Sequence, residues 1–151
     1  MSDNANAQKK EVANLGVPWE QAYGYAQAVK VGNVIYVSGQ LSHDDSGALV
    51  GPAALGADGR PVEFSNMALQ MQTTYENARK LLSHFGATFD QVVEETLFVL
   101  DVDAAFAVAG EVRRTFYGPT PRLASNLIGV SRLAFPEQLI EVAYRVDMSI
   151  V

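Results

Sequence analysis

The sequence predicts an α+β domain in which one mixed or antiparallel β-sheet carries two helices on one face. Three observations predict it. Apolar runs of strand length alternate with turn clusters rich in Gly, Asn, Asp and Pro. Only two segments have the three- and four-residue apolar spacing of a surface helix. The resulting order, β-β-(β)-α-β-α-β-β, lacks the regular alternation and the extra helices of a parallel doubly wound sheet.

Residues 1–15 are polar at their start and read as a flexible N-terminal arm, leaving 16–151 as a single domain. Residues 26–31 and 34–38 are β-prone runs separated by Gly32-Asn33, a two-residue hairpin signal. Residues 42–61 form a turn-rich loop with a short strand at 48–50. Residues 63–85 predict a long helix, with Phe64, Met67, Ala68, Met71, Tyr75, Ala78, Leu82 and Phe85 on one stripe. Gly86 suits the position just past its end. A strand follows at 92–100. Asp103 is a candidate N-cap for a helix over 104–116, which Tyr117-Gly118-Pro119 stops. Strands at 123–130 and 139–148 close the chain.

In the last strand Ile140, Val142, Tyr144, Val146 and Met148 point one way, while Glu141, Arg145 and Asp147 point the other. The inner runs 34–37, 97–100 and 127–128 are apolar on both faces, so both faces need cover. Two helices cover one. Either identical subunits bury the second face against each other, or the arm and the 42–61 loop cover it.

Composition excludes several function classes. The 151 residues contain no cysteine, which removes disulfides, thiolate metal sites and a cysteine nucleophile. The chain's 48 % apolar content is enough for a core that needs no staple. Residues 1–10 lack the apolar segment of a signal peptide, and no run is long enough to span a membrane. The expected location is the cytoplasm. The net charge of −6 disfavours phosphate backbones, so nucleic acid is not the expected partner. No P-loop or dinucleotide glycine pattern occurs.

The strand ending in Ser38-Gly39-Gln40 is the candidate wall of a small-molecule site, because a glycine there lets a ligand approach the backbone. Ser38 has no Gly-x-Ser-x-Gly elbow and no evident base. Glu141 stands mid-strand opposite the apolar row, where it either pairs with an arginine or holds a water in a cleft. His43 and His84, the only histidines, read as loop and helix-end residues, and no metal site is expected.

Three segments add a resemblance. They are Tyr25-Ala-Gln-Ala-Val-Lys-Val-Gly-Asn-Val-Ile-Tyr-Val-Ser-Gly-Gln40, Glu95-Thr-Leu-Phe-Val-Leu-Asp101, and Val130-Ser-Arg-Leu133 through Leu139-Ile-Glu-Val142. Over about 18–149 the chain resembles the Rid family of reactive-intermediate deaminases, the YjgF-like proteins, some of which carry the older label L-PSP endoribonuclease. The resemblance implies a chorismate-mutase-like fold, a homotrimer with ligand clefts between subunits, and cofactor-free hydrolysis of small imines or enamines. It implies that Tyr25, Ser38 and Gly39 bind substrate and that Glu141 positions water as the catalytic residue. The family's substrate-carboxylate arginine falls at Ser125, counting back seven residues from Arg132. Arg122 lies three residues too early, ~10 Å along a strand and on the other face. The chain thus reads as a divergent member without that clamp. Ser125 and Asn126 become candidate binders of a neutral polar group, unless an arginine of another subunit compensates. Alternatives to hydrolysis are a non-catalytic metabolite-binding or regulatory protein and, behind it, endoribonuclease activity.

Overall fold

The computed structural model describes residues 7–151. Within these residues six strands form one sheet: β1 (Lys10–Ala13), β2 (Ala28–Val31), β3 (Val34–Gln40), β4 (Val92–Val99), β5 (Ala124–Gly129) and β6 (Ile140–Asp147). Their spatial order is β1-β2-β3-β6-β4-β5. Only β4 and β5 run parallel; the other neighbours are antiparallel. The mixed sheet is therefore as expected.

The β2–β3 hairpin forms at Gly32-Asn33, with Val31 opposite Val34. Gly32 takes a φ of 59° and Asn33, like every non-glycine among the described residues, does not have positive φ, the pattern of a II′ turn. Among the described residues three helices join the sheet: α1 (Pro18–Tyr23), α2 (Met67–His84) and α3 (Val102–Tyr117). A 3₁₀ turn at Phe89–Gln91 leads into β4.

The two long helices pack on the sheet face that carries Ile35, Val37, Leu97, Val99, Val142, Tyr144 and Val146, all buried. Tyr75 of α2 is fully buried there, and its ring lies 5.1 Å from Phe116, 5.7 Å from Tyr144 and 5.9 Å from Phe89. Ala68, placed on the α2 stripe from the sequence, is exposed; Gln70, Thr74 and Asn77 are buried instead. Each donates to backbone carbonyls: Thr74 within the helix to Gln70, Gln70 to Gly51 and Glu137, and Asn77 to Leu41.

Four expectations change. Residues 10–13 of the supposed arm are β1, paired with β2 from Lys10↔Val31 to Ala13↔Ala28. Residues 1–6 lie outside the described residues. Helix α2 starts at Met67, four residues after the expected start. Asp101 rather than Asp103 caps α3, its carboxylate accepting from the Ala104 N–H at 2.8 Å. The expected strand at 48–50 is only an isolated bridge, His43 opposite Leu49.

Strand β1 extends the sheet in its own plane, so residues 10–13 do not cover the second face. Tyr36 and Ile128 on that face are 50 % and 43 % exposed. No helix among the described residues is long and apolar enough to cross a membrane.

Candidate functional site

A cavity of about 620 Å³ opens where β3 and β6 leave the sheet. That is the size of a small-molecule site. Its polar floor comes from Ser38, Gly39 and Glu141, and its aromatic wall from Trp19, Tyr23, Tyr25 and Phe135.

The floor depends on a β-bulge. Val37 faces Tyr144 and Gln40 faces Val142, so Ser38 and Gly39 together oppose one residue of β6. The extra residue lets both flank the cavity while Gln40 turns back into the interior, where it is buried. There the Gln40 amide donates to Gln27 Oε1 and to the Ser38 carbonyl, both at 2.9 Å. Ser38 Oγ donates to the Ala26 carbonyl at 2.8 Å. Its proton is committed to holding the 25–27 segment, and only its lone pairs face a ligand.

Gly39 is required by close approach. A Cβ there would sit 2.6 Å from Glu141 Cγ and 2.7 Å from Glu141 Oε2. The Glu141 carboxylate thus lies against the bare Gly39 Cα. It has no hydrogen bond or ion pair among the described residues, and burial raises its pKa above the ordinary carboxylate value. Burial also raises the Tyr25 phenol; a hydrogen bond with Trp19 opposes this, and the Glu20 and Glu141 carboxylates add to it.

The aromatic wall starts at α1, which the sequence reading missed. Pro18 stands at N1, and the Glu20 carboxylate accepts the Leu15, Gly16 and Val17 N–H groups at 2.8, 2.9 and 3.1 Å. Proline at N1 with glutamate at N3 was the available signal. Trp19 stacks edge-on against Phe135 at 5.3 Å and His43 at 5.0 Å, and Tyr23 meets Tyr25 at 5.4 Å. His43 is buried, with Nδ1 bonded to the Asp44 carbonyl at 2.8 Å, so it supports Trp19 from behind.

Tyr25, Ser38, Gly39 and Glu141 are therefore brought together, but Ser125 and Asn126 are not. Ser125 pairs in register with Glu95 on the helix-covered face and donates to Glu95 Oε1 at 2.9 Å. Asn126 alternates to the other face but sits on edge strand β5, beyond β4 from β6. Neither lines the cavity. Arg122 lines a different cavity beside Asp90 and Tyr117. Arg132 faces another with Arg60 and Asp58. Among the described residues, no lysine or arginine lines the Glu141 cavity.

Comparison with known proteins shows the family and the fold. Residues 18–147 match the family model described as Endoribonuclease L-PSP. A RutC family protein of Pyrococcus abyssi is 31 % identical over 80 % of this chain and 86 % of its own. The 2-iminobutanoate/2-iminopropanoate deaminase of Mus musculus is 31 % identical over 67 % of this chain and 66 % of its own. Among solved structures, RidA from an Antarctic Psychrobacter superposes with a TM-score of 0.67 at 26 % identity, covering 82 % of this chain and 88 % of its own. Yeast Mmf1 superposes with a TM-score of 0.73 at 21 % identity, covering 92 % and 98 %. The chain belongs to the endoribonuclease L-PSP family, the group of the RutC, YjgF and Rid proteins.

Proposed function

We propose that the protein hydrolyses a small imine or enamine in the Glu141 cavity, with Glu141 as the base that activates water. The observation that supports this most is the half-buried, unpartnered Glu141 carboxylate against Gly39. A raised carboxylate pKa brings a base closer to neutral working pH. Water would lose a proton to Glu141 as its oxygen attacks the C=N carbon. That proton would pass to the nitrogen of the tetrahedral intermediate; Glu141 would then take the remaining hydroxyl proton and deliver it to the same nitrogen as the C–N bond breaks, releasing the carbonyl compound and ammonia or an amine. One water is consumed per imine, and no oxidant or cofactor is needed. Tyr25, Ser38 and Gly39 would seat the substrate. An enamine would first gain a proton at carbon to become the imine.

The reading includes a homotrimer with the cavity at a subunit boundary. Exposed Tyr36 and Ile128 on the uncovered sheet face support self-association there.

Non-catalytic binding is the second reading, favoured by the lack of a cationic clamp among the described lining residues. RNA cleavage has only descriptive labels behind it, that of the family model and those of similar solved structures, and the net charge of −6 opposes it.

The test supplies unstable imines generated in situ and follows release of ammonia or amine. Acceleration over the no-protein rate is expected. Rates equal to the no-protein control across a broad panel, with a thermal shift on ligand addition, would leave binding as the function.

A further inference from the structure

We infer that the Glu141 cavity selects a cationic, apolar substrate, a protonated imine or amine without a carboxylate. This rests on the reading of the cavity as the reactive site and goes further by naming its substrate class.

The charge argument is direct. One formal charge, Glu141, faces the cavity, and no cationic side chain lines it among the described residues. Arg60, Arg122 and Arg132 line other cavities, and Arg145 is drawn over the Tyr36 ring at 5.6 Å. Among the described residues of one subunit, a carboxylate-bearing ligand would meet Glu141 with no cation to offset the repulsion. Ser38 cannot rescue it, because its hydroxyl proton is already given to Ala26.

The aromatic wall adds an independent reason. Trp19, Tyr23, Tyr25 and Phe135 carry ring quadrupoles whose negative faces attract cations. A carboxylate among aromatic rings is the chemistry that recognises ammonium and iminium groups, while the rings hold the apolar remainder. Tyr23 is 83 % exposed at the rim, which suits a ring that closes over an arriving ligand. The arrangement also serves the reaction, since the iminium is the electrophile that water attacks and Glu141 would sit beside its charge.

Trp19 is the only tryptophan, so its fluorescence reports on the cavity. The experiment titrates three probes of matched size, benzylammonium, benzyl alcohol and benzoate. Benzylammonium is expected to bind about tenfold or more tighter than benzoate. Glu141→Gln should abolish its advantage over benzyl alcohol. Tyr23→Ala, which removes an exposed ring and leaves the fold intact, should weaken benzylammonium several-fold. Benzoate binding as tightly as benzylammonium, no binding by any probe, or an unchanged order in Glu141→Gln would overturn the inference. Turnover separates the two claims. Hydrolysis of 2-imino acids with preference for benzoate would sink the cation selectivity and keep the hydrolase. Benzylammonium selectivity without any imine hydrolysis would do the reverse.

Discussion

Glu95 and Glu141 sit on opposite faces of one sheet, and their surroundings assign them opposite jobs. Glu95 is fully buried and takes four donors: Tyr75 and Arg113 Nε at 2.6 Å, Tyr117 and Ser125 at 2.9 Å. A carboxylate so saturated has no capacity left for substrate. Glu141 has none of these partners and faces a cavity. Ser125 is one of the Glu95 donors and does not line the Glu141 cavity of its own chain. Its sequence position suggested a ligand group, but its strand phase turns it to Glu95. Arg113→Met would leave a buried carboxylate with hydroxyl donors only and should cost roughly 3 kcal/mol in denaturant unfolding, since stripping one partner from a buried pair is expensive. Unchanged stability would mean that the pair is not structural. Gly39→Ala makes the converse prediction. Its Cβ would displace the flexible Glu141 side chain, not the backbone. Turnover should fall about 100-fold, as misplacing a reacting group by about 1 Å does, while the thermal midpoint moves by only a few degrees.

The helices and strands show which parts of the architecture were legible. Residues 67–84 and 102–117 announced themselves because each buries a long apolar stripe against the sheet. The β2–β3 hairpin announced itself through Gly32. Strand β1 did not, because Lys10, Glu11 and Val12 are exposed and its extended form comes from pairing with β2. Helix α1 is six residues long, too short for periodicity, yet it carries Trp19 and Tyr23 to the cavity. The floor and Tyr25 were therefore readable, and Trp19, Tyr23 and Phe135 of the wall were not. Network residues also tie the elements together: α2 supplies Tyr75, α3 supplies Arg113 and Tyr117, and β4 supplies Glu95. Burial first, and then the Glu95 charge, raise the Tyr75 and Tyr117 phenols far above their ordinary value. Burial likewise raises Tyr144. A raised folded pKa gives stability that is complete below the unfolded value of about 10 and lost as pH climbs past it. The protein should unfold cooperatively above about pH 10. Three of its six tyrosines should ionise only with that transition, so half the tyrosinate absorbance should coincide with loss of helical circular dichroism. Complete ionisation before unfolding would contradict the buried network.

At the scale of the whole molecule, one sheet face is buried under helices and the other remains open around Tyr36 and Ile128. The doubly apolar inner strands made that imbalance visible in the sequence. Three chains of 16.3 kDa should appear as one species by light scattering. Ile128→Asp, which places a charge on the open face, should lower the mass. A monomer at micromolar concentration would contradict self-association. The central claim concerns the cavity, and the ratio of imine-hydrolysis rates for wild type and Glu141→Gln tests it most directly. The substitution removes the base and keeps the shape. It also removes a carboxyl whose raised pKa makes stability decline as pH rises from 4.5 through its folded value, so the variant should be no less stable at neutral pH. A drop of about 10²-fold or more, at equal or higher thermal midpoint, is the predicted result; equal rates in the two proteins would contradict the account.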